Sequence, residues 1–554
     1  MRLHLGIIGS CLLFMAGFSV QSACAAPLDV SDSAVAVFLA SPFQYDYTSI
    51  TDDASLRRFI DALDHQVAMI EYRQGREFVR QSDSTGMAQP HGRELENRYL
   101  QILGDNFIYK KLTDWKTKTA DSACRAFIDL FLDRRNDFMA DPTLQKEARG
   151  LSQRITDRLY TFRLAADGIV YDAQQAASIL SSGSDLALCR KLYSALNDSV
   201  AALAPLASDL YTLYSRMGQQ LGYRTSMDYH LSRLSFRKPE WLKIADELKE
   251  ATEAEYQLCL TWIREESGGE KLAQFEIDNR LRQTAVLPDQ YFPPRRTDSV
   301  LTRLLDGLGL ADLTGKLKVR EFDSAGNPAL AIRLYPPDDV LFFKTMQGGY
   351  LRYRRQAAEF GRALPWAYAD SALPYLLREY PKGSEEMLTL LFESMALDSQ
   401  FLAGNFNVPG DELAKFEQKS RWLAVFRIRQ VLVYFYFDYY LSDGQASDPI
   451  SLFKKLETSL LGVDASSYQW IESLVSGKIG DYPERLAHHF CQVKTIEMLY
   501  QRFGEDYAAN AGSGEFLKEK FCRPGRSRTI EQYITGNASD RLSVNDIRRQ
   551  LHLH

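Results

Sequence analysis

Between about residues 50 and 270, apolar residues recur every three to four positions with charge on the intervening ones, the signature of successive amphipathic helices. The spacing predicts helices over Ser55–Arg73, Glu94–Lys111, Ser122–Met139, Leu144–Leu164, Ala173–Leu180, Ser184–Leu221, Tyr223–Leu234 and Pro239–Glu266. Asp and Ser near the starts, and Gly or Pro near the ends, punctuate them. The period changes near residue 317. Lys318–Phe322, Ala329–Tyr335 and Asp339–Lys344 are short, β-branched or aromatic runs, separated by turn-forming Asp323–Pro328 and Pro336-Pro337-Asp338. Together they predict a small antiparallel sheet set into a helical protein. Helical spacing resumes at Tyr350 and continues to the end, and no fixed-length repeat suggests a solenoid.

Two apolar stretches need separate treatment. Leu5–Val20 follows the basic Arg2, carries no charge and leads to Ala23-Cys24-Ala25. That is the layout of a secretory signal peptide, assigned to residues 1–25, with a lipid on Cys24 as the alternative. The expected location is therefore secreted or periplasmic. Trp422–Leu441 is equally apolar but holds Arg427, Arg429 and Asp438. Charges at mid-span are costly in lipid, so this segment is expected to be a buried core helix and no stable membrane span is expected in the mature chain.

Composition adds little to this and excludes more. The 554 residues are 45% hydrophobic and 25% charged, with a net charge of −6, which gives no reason to expect a nucleic-acid partner. The basic runs Arg352, Arg354, Arg355 and Arg523, Arg526, Arg528 read as solvated or locally ion-paired. Cys124, Cys189, Cys259, Cys491 and Cys522 are scattered, with no CxxC pair, so neither a zinc ribbon nor a dense disulfide scaffold is indicated. With no linker-like shift of composition, residues 26–554 are expected to form one domain with an N-terminal helical lobe over about 26–315 and a second lobe over about 316–554.

Ala358-Glu359-Phe360-Gly361-Arg362-Ala363 lies in the helix that follows the last strand, and Ser384-Glu385-Glu386-Met387-Leu388 in the next one. From about Gly222 onward the chain resembles the thimet-oligopeptidase and oligoendopeptidase F type of zinc peptidase, with angiotensin-converting enzyme more distant. The likeness runs through Pro337–Lys344, Gly348–Tyr350, Ser384–Ser394, Phe426–Val431 and Phe516–Arg528. The family has HEFGHA where this chain has Ala358–Ala363. There, two histidines one turn apart bind zinc, the Glu between them is the general base, and a Glu on a later helix completes the ligand set.

What the resemblance implies follows position by position. Ala358 and Arg362 stand at the histidine-ligand positions, Glu359 at the general-base position and Glu386 at the third-ligand position. Alanine cannot coordinate, and arginine stays protonated with no lone pair to give. Zinc is therefore expected to be lost, and no cofactor is expected. The expected fold is mainly α: a large two-lobed metallopeptidase-like architecture with a deep central cleft and the small sheet next to the former active site. The mature chain's histidines, His65, His91, His230, His488, His489, His552 and His554, include no i,i+4 pair that would rebuild HExxH elsewhere. His488, His489 and Tyr482 are the cleft candidates. Helical spacing puts Arg362 beside Glu359, and the resemblance brings Glu386 to it from the next helix, so that a guanidinium is expected to replace the metal's charge. The expected function is a catalytically inactive pseudopeptidase whose cleft binds peptides or a protein partner. Two alternatives stand beside it: an active oligopeptidase with an unusual or rebuilt metal site, and a structural or interaction protein that uses its outer surface.

Overall fold

The computed structural model describes residues 38–39 and 43–551, apart from 84–91, 139–140, 184, 233, 235–237, 269–270, 323–328, 346–347, 382, 444–447, 465–467, 476–480 and 535–542. The signal-peptide assignment, residues 1–25, lies outside the described residues, as do His91, His552 and His554.

Helices dominate, as the apolar period predicts. The first are α1 (Asp53–Asp83), α2 (Gly92–Gly104), α3 (Asn106–Lys116), α4 (Ser122–Phe138) and α5 (Pro142–Thr161). The single helix expected over Glu94–Lys111 is split because Asp105 caps a new start, accepting from Phe107 N and Ile108 N. A hairpin then intervenes, β1 (Arg163–Ala166) and β2 (Ile169–Asp172), joined through Asp167 and Gly168, both at positive φ. Helical periodicity had extended through Leu164 and missed it.

Next come α6 (Ala173–Ser182), α7 (Leu186–Ala201), α8 (Ala204–Gln220), α9 (Ser226–Ser232), α10 (Lys238–Ser267), α11 (Gln274–Thr284), α12 (Pro294–Gly307) and the short α13 (Leu313–Lys316).

The predicted sheet is present as β3 (Leu317–Phe322), β4 (Leu330–Tyr335) and β5 (Asp339–Thr345), in spatial order β3-β5-β4. Its β4–β5 pairing is antiparallel, as expected. The β3–β5 pairing is parallel, which corrects the expectation of an all-antiparallel sheet. The reason is the strand order: β4 and β5 form a hairpin across Pro336–Asp338, and β3 pairs on the far side of β5, in the same direction.

The β4–β5 hairpin is buried on both faces, whereas β3 from Lys318 to Glu321 is largely exposed. Ile332, Leu334, Leu341 and Phe343 pack with Leu56–Val79 of α1 and with Tyr375–Leu377. Ala331, Val340 and Phe342 join the larger core, where Phe342 stacks on Phe360 with ring centroids 4.6 Å apart. Each fully buried aliphatic or aromatic side chain of this kind contributes about 1.5–3 kcal/mol.

After the sheet come α14 (Tyr350–Ala367), α15 (Met387–Ala396), α16 (Ser399–Phe406), α17 (Gly410–Ser442), α18 (Pro449–Leu461), α19 (Tyr468–Val475), α20 (Asp481–Phe503), α21 (Ala511–Leu517), α22 (Ile530–Ile534) and α23 (Val544–Gln550). The apolar segment Trp422–Leu441 lies inside α17, and most of its residues are buried. Its interior Arg429 is satisfied by Leu460 O at 2.7 Å and by Glu253 at 2.8 Å. Among the described residues no helix is long and apolar enough to cross a membrane.

The contact that positions the site is between α14 and α15. Gly361 allows it: a Cβ there would sit 2.1 Å from Leu388 O and 3.0 Å from Phe392 Cβ. Backbone on the far side cannot yield as a flexible side chain would. We therefore expect Gly361→Ala to destabilise the protein by about 1–3 kcal/mol or more, read as a lower denaturation midpoint at an unchanged slope. An unchanged midpoint would show that the two helices separate freely.

Candidate functional site

The side chains singled out in the sequence converge where α14 meets α15 and the β4 edge. Leu351, Arg354, Arg355, Ala358 and Arg362 recur at three- and four-residue spacing and so form one stripe of α14. Leu351 is exposed, the three arginines are half-buried, and Ala358 is 1% exposed. Glu359 is 0% exposed.

A carboxylate so enclosed needs partners, and Glu359 has several. Oε2 accepts from Ala331 N of β4 at 2.8 Å. Oε1 lies 2.9 Å from Arg355 Nη2. Arg362 Nε lies 3.1 Å from Oε2. The same Arg362 presents its two terminal nitrogens to Glu386, Nη1 to Oε1 at 2.8 Å and Nη2 to Oε2 at 2.9 Å, a bidentate fork. Its guanidinium thus lies between Glu359 and Glu386. Although burial opposes it, these two carboxylates raise the Arg362 pKa above the ordinary arginine value.

Glu386 differs from the sequence expectation in one respect. It precedes α15 rather than lying within it, because the chain turns at Gly383, φ +86°, and Ser384 Oγ donates to Pro381 O. Acidic groups at that end suit the helix dipole.

Beside this pair lies a second one. His488 Nε2 and Glu385 Oε2 are 3.1 Å apart. Burial works against charge on His488, but the hydrogen bond and charge of Glu385 prevail and raise its pKa above 6.5. Burial likewise opposes charge on Glu385, while His488 and Arg526 bring its pKa below 4.5. His489 has no such partner among the described residues, and burial pushes it down to about 4. Tyr482 is 2% exposed and stacks on Tyr434 with centroids 4.5 Å apart and planes 6° from parallel. Its ring is packing rather than open surface.

Sequence reasoning missed a deeper set of charges. Glu379, 5% exposed, lies 2.9 Å from Arg526 Nη2 and 3.4 Å from Arg134 Nη2, and it also pairs with Arg333. Arg134 reaches Glu71 at 2.7 Å, and Tyr375 Oη donates to the same carboxylate at 2.9 Å. Burial nonetheless pushes Glu71 up to about 7. Arg526 Nε also donates to Tyr380 O at 2.6 Å, and Tyr380 Oη donates to Gly361 O at 3.1 Å. The Arg523–Arg528 run was the available signal.

The strand beside the site is β4. Its outward Ala331 N–H is used by Glu359, and Arg355 Nε donates to Ala329 O just ahead of β4 at 3.3 Å. A surface recess of about 470 Å³ lined by Tyr171, Asp172, Gln175 and Ile179 contains none of these residues. Among the described residues, no group of three or more His, Cys, Asp or Glu is placed to hold a metal ion.

No family model matches the chain, and no curated protein matches it in sequence. Solved structures do resemble it. A carboxypeptidase from Pyrococcus furiosus aligns with a TM-score of 0.64 at 14% identity, over 92% of this chain and 99% of its own. An M32 carboxypeptidase from Deinococcus radiodurans aligns at 0.62 and 12% identity, over 90% and 99%. Metallocarboxypeptidase 1 of Trypanosoma cruzi aligns at 0.61 and 13%, over 90% and 98%. The chain therefore has a mainly helical, metallopeptidase-like fold. Because these neighbours are carboxypeptidases, the likeness carries that fold and not the thimet-oligopeptidase branch of it.

Two outcomes follow from the charges. Arg362→Ala leaves Glu359 buried with less countercharge and should cost up to about 3 kcal/mol in denaturant unfolding. Glu386→Gln should cost under about 1 kcal/mol, because the Glu386 side chain is 37% exposed and water replaces its partner. Equal losses would contradict this asymmetry.

The His488 pair has a pH signature. A raised histidine contributes stability present below 6.5 and lost as pH climbs through its folded value. A lowered carboxylate contributes stability present above 4.5 and lost as pH falls through its folded value. Both shares coexist between those limits. His489 acts in the opposite sense, so the difference between wild type and His488→Gln is the useful curve. That deficit should reach about 1–2 kcal/mol between pH 4.5 and 6.5 and shrink above neutrality. A deficit independent of pH would show that His488 acts by packing alone.

Proposed function

We propose that this chain is an exported, catalytically inactive relative of the zinc oligopeptidases, a degenerate member of the thimet-oligopeptidase type, that binds peptides or a protein partner at the site where its relatives cut them. The observation that carries this reading is the Arg362 guanidinium between Glu359 and Glu386. A catalytic zinc needs three protein ligands with lone pairs and an open position for water. Of the three positions here, Ala358 offers none, Arg362 is a cation, and Glu386 is already engaged in the bidentate pair. The residues present do not fit zinc. Glu359 is likewise unsuited to general-base work, since its oxygens are held by Ala331 N, Arg355 and Arg362 and it has no exposure to water.

The test is zinc content of the mature protein after reconstitution, run beside a quenched-fluorescence peptide-cleavage assay. We expect zinc far below stoichiometric and no cleavage. Near-stoichiometric zinc with chelator-sensitive cleavage would overturn the reading and establish a rebuilt site, with His488 and Glu385 the first residues to substitute.

A further inference from the structure

Arginines from four helices outnumber the acids paired with them. Arg282 of α11 and Arg427 of α17 share one oxygen, Asp278 Oδ1, at 2.9 and 2.6 Å. Arg354, on the α14 stripe one turn before Ala358, pairs with Glu393 at 2.6 Å. Arg485 of α20, one turn before His488 and His489, lies over the Tyr482 ring at 5.3 Å and has no ion pair among the described residues. Tyr482 in turn stacks on Tyr434 of α17, so α17 and α20 meet beneath these cations.

Burial and the neighbouring charges of Arg282, Arg354 and Arg485 pull Arg427 below the ordinary arginine value, against the opposing pull of Asp278. All four guanidinium groups therefore belong to one electrostatic cluster, with Asp278 and Glu393 as the carboxylates paired to it. They are accessible: the side chains of Arg282, Arg354 and Arg427 are 60%, 36% and 37% exposed, and Arg485 is exposed. On a chain whose net charge is −6, this local excess is not a general property of the surface.

We infer that Arg282, Arg354, Arg427 and Arg485 form a binding site for acidic peptides, recognised through Asp and Glu side chains. The inference rests on the peptide-binding reading above and names its ligand class. Guanidinium forks match carboxylates in geometry as well as charge. Recognition by side chains also fits the state of β4, whose Ala331 N–H is already taken by Glu359. A densely charged polyanion such as nucleic acid is disfavoured because the net charge of −6 and the Asp278 and Glu393 carboxylates repel it more strongly than a peptide carrying a few carboxylates.

The experiment measures fluorescence anisotropy of the mature protein with labelled peptides of equal length: one rich in Asp and Glu, one neutral, one rich in Lys. A single-stranded oligonucleotide is the further probe. We expect the acidic peptide to bind at least about tenfold more tightly than the neutral one. Its affinity should fall as salt is raised. The double variant Arg282→Gln with Arg485→Gln changes exposed side chains and should erase most of that preference at an unchanged melting temperature. If that variant does not fold, the wild-type peptide series decides alone. Equal binding of acidic and neutral peptides would overturn the inference while leaving the peptide-binding reading in place. Binding of no peptide would overturn both. An oligonucleotide bound as tightly as the acidic peptide would overturn the assignment to peptides.

Discussion

A carboxylate removed from water must find its countercharge inside the protein, and Glu359 does so in three directions at once. Through Ala331 N it holds the β4 edge, through Arg355 its own helix, and through Arg362 the start of α15. The geometry works only because Gly361 lets α14 and α15 approach to backbone contact. Sheet, helix and following turn are thus tied by one charge. Pairs of this kind contribute less net stability than their short distances suggest, since desolvation offsets much of the attraction. What they do is penalise any arrangement that leaves a member alone.

The same logic operates a layer deeper. Glu379 gathers Arg134 of α4, Arg333 of β4 and Arg526 near the C-terminus, so segments hundreds of residues apart in sequence depend on one acid. Arg526 also lies 3.9 Å from Glu385, which pairs with His488 and directly precedes Glu386. Arg362 and Glu379 therefore anchor neighbouring parts of one extended polar seam along the α14–α15 contact. Ionic contacts fill the ground between Glu359 and Glu386.

Much of this was legible in sequence where the controlling physics is local. Apolar periodicity located the three strands and most of the early helices, but it stopped the first helix at Arg73 where it runs to Asp83, and it ran Glu94–Lys111 and Ser184–Leu221 across breaks that each separate two helices. The 359 and 362 spacing was enough to anticipate a guanidinium beside Glu359, while the approach of Glu386 from another segment was implied only by the family resemblance. What escaped depends on distance. Nothing near Arg526 shows that it meets Glu379, 147 positions away (526 − 379). The parallel β3–β5 pairing comes from strand order, which no single strand encodes. The β1–β2 hairpin was hidden because Leu164 and Ala166 continue a helical-looking apolar pattern. Glu386 was placed inside a helix because the turn that displaces it depends on the positive φ of Gly383.

A strand at the margin of a sheet is ordinarily an invitation: its free amides and carbonyls template a neighbouring chain, whether ligand or aggregate. In this protein the backbone invitation along the start of β4 has been answered from within, by Glu359 at Ala331 and Arg355 at Ala329. Backbone pairing is blind to sequence, so a protein that withdraws it gives up generality. What meets this face finds the start of β4 already paired and can be read there only through its side chains.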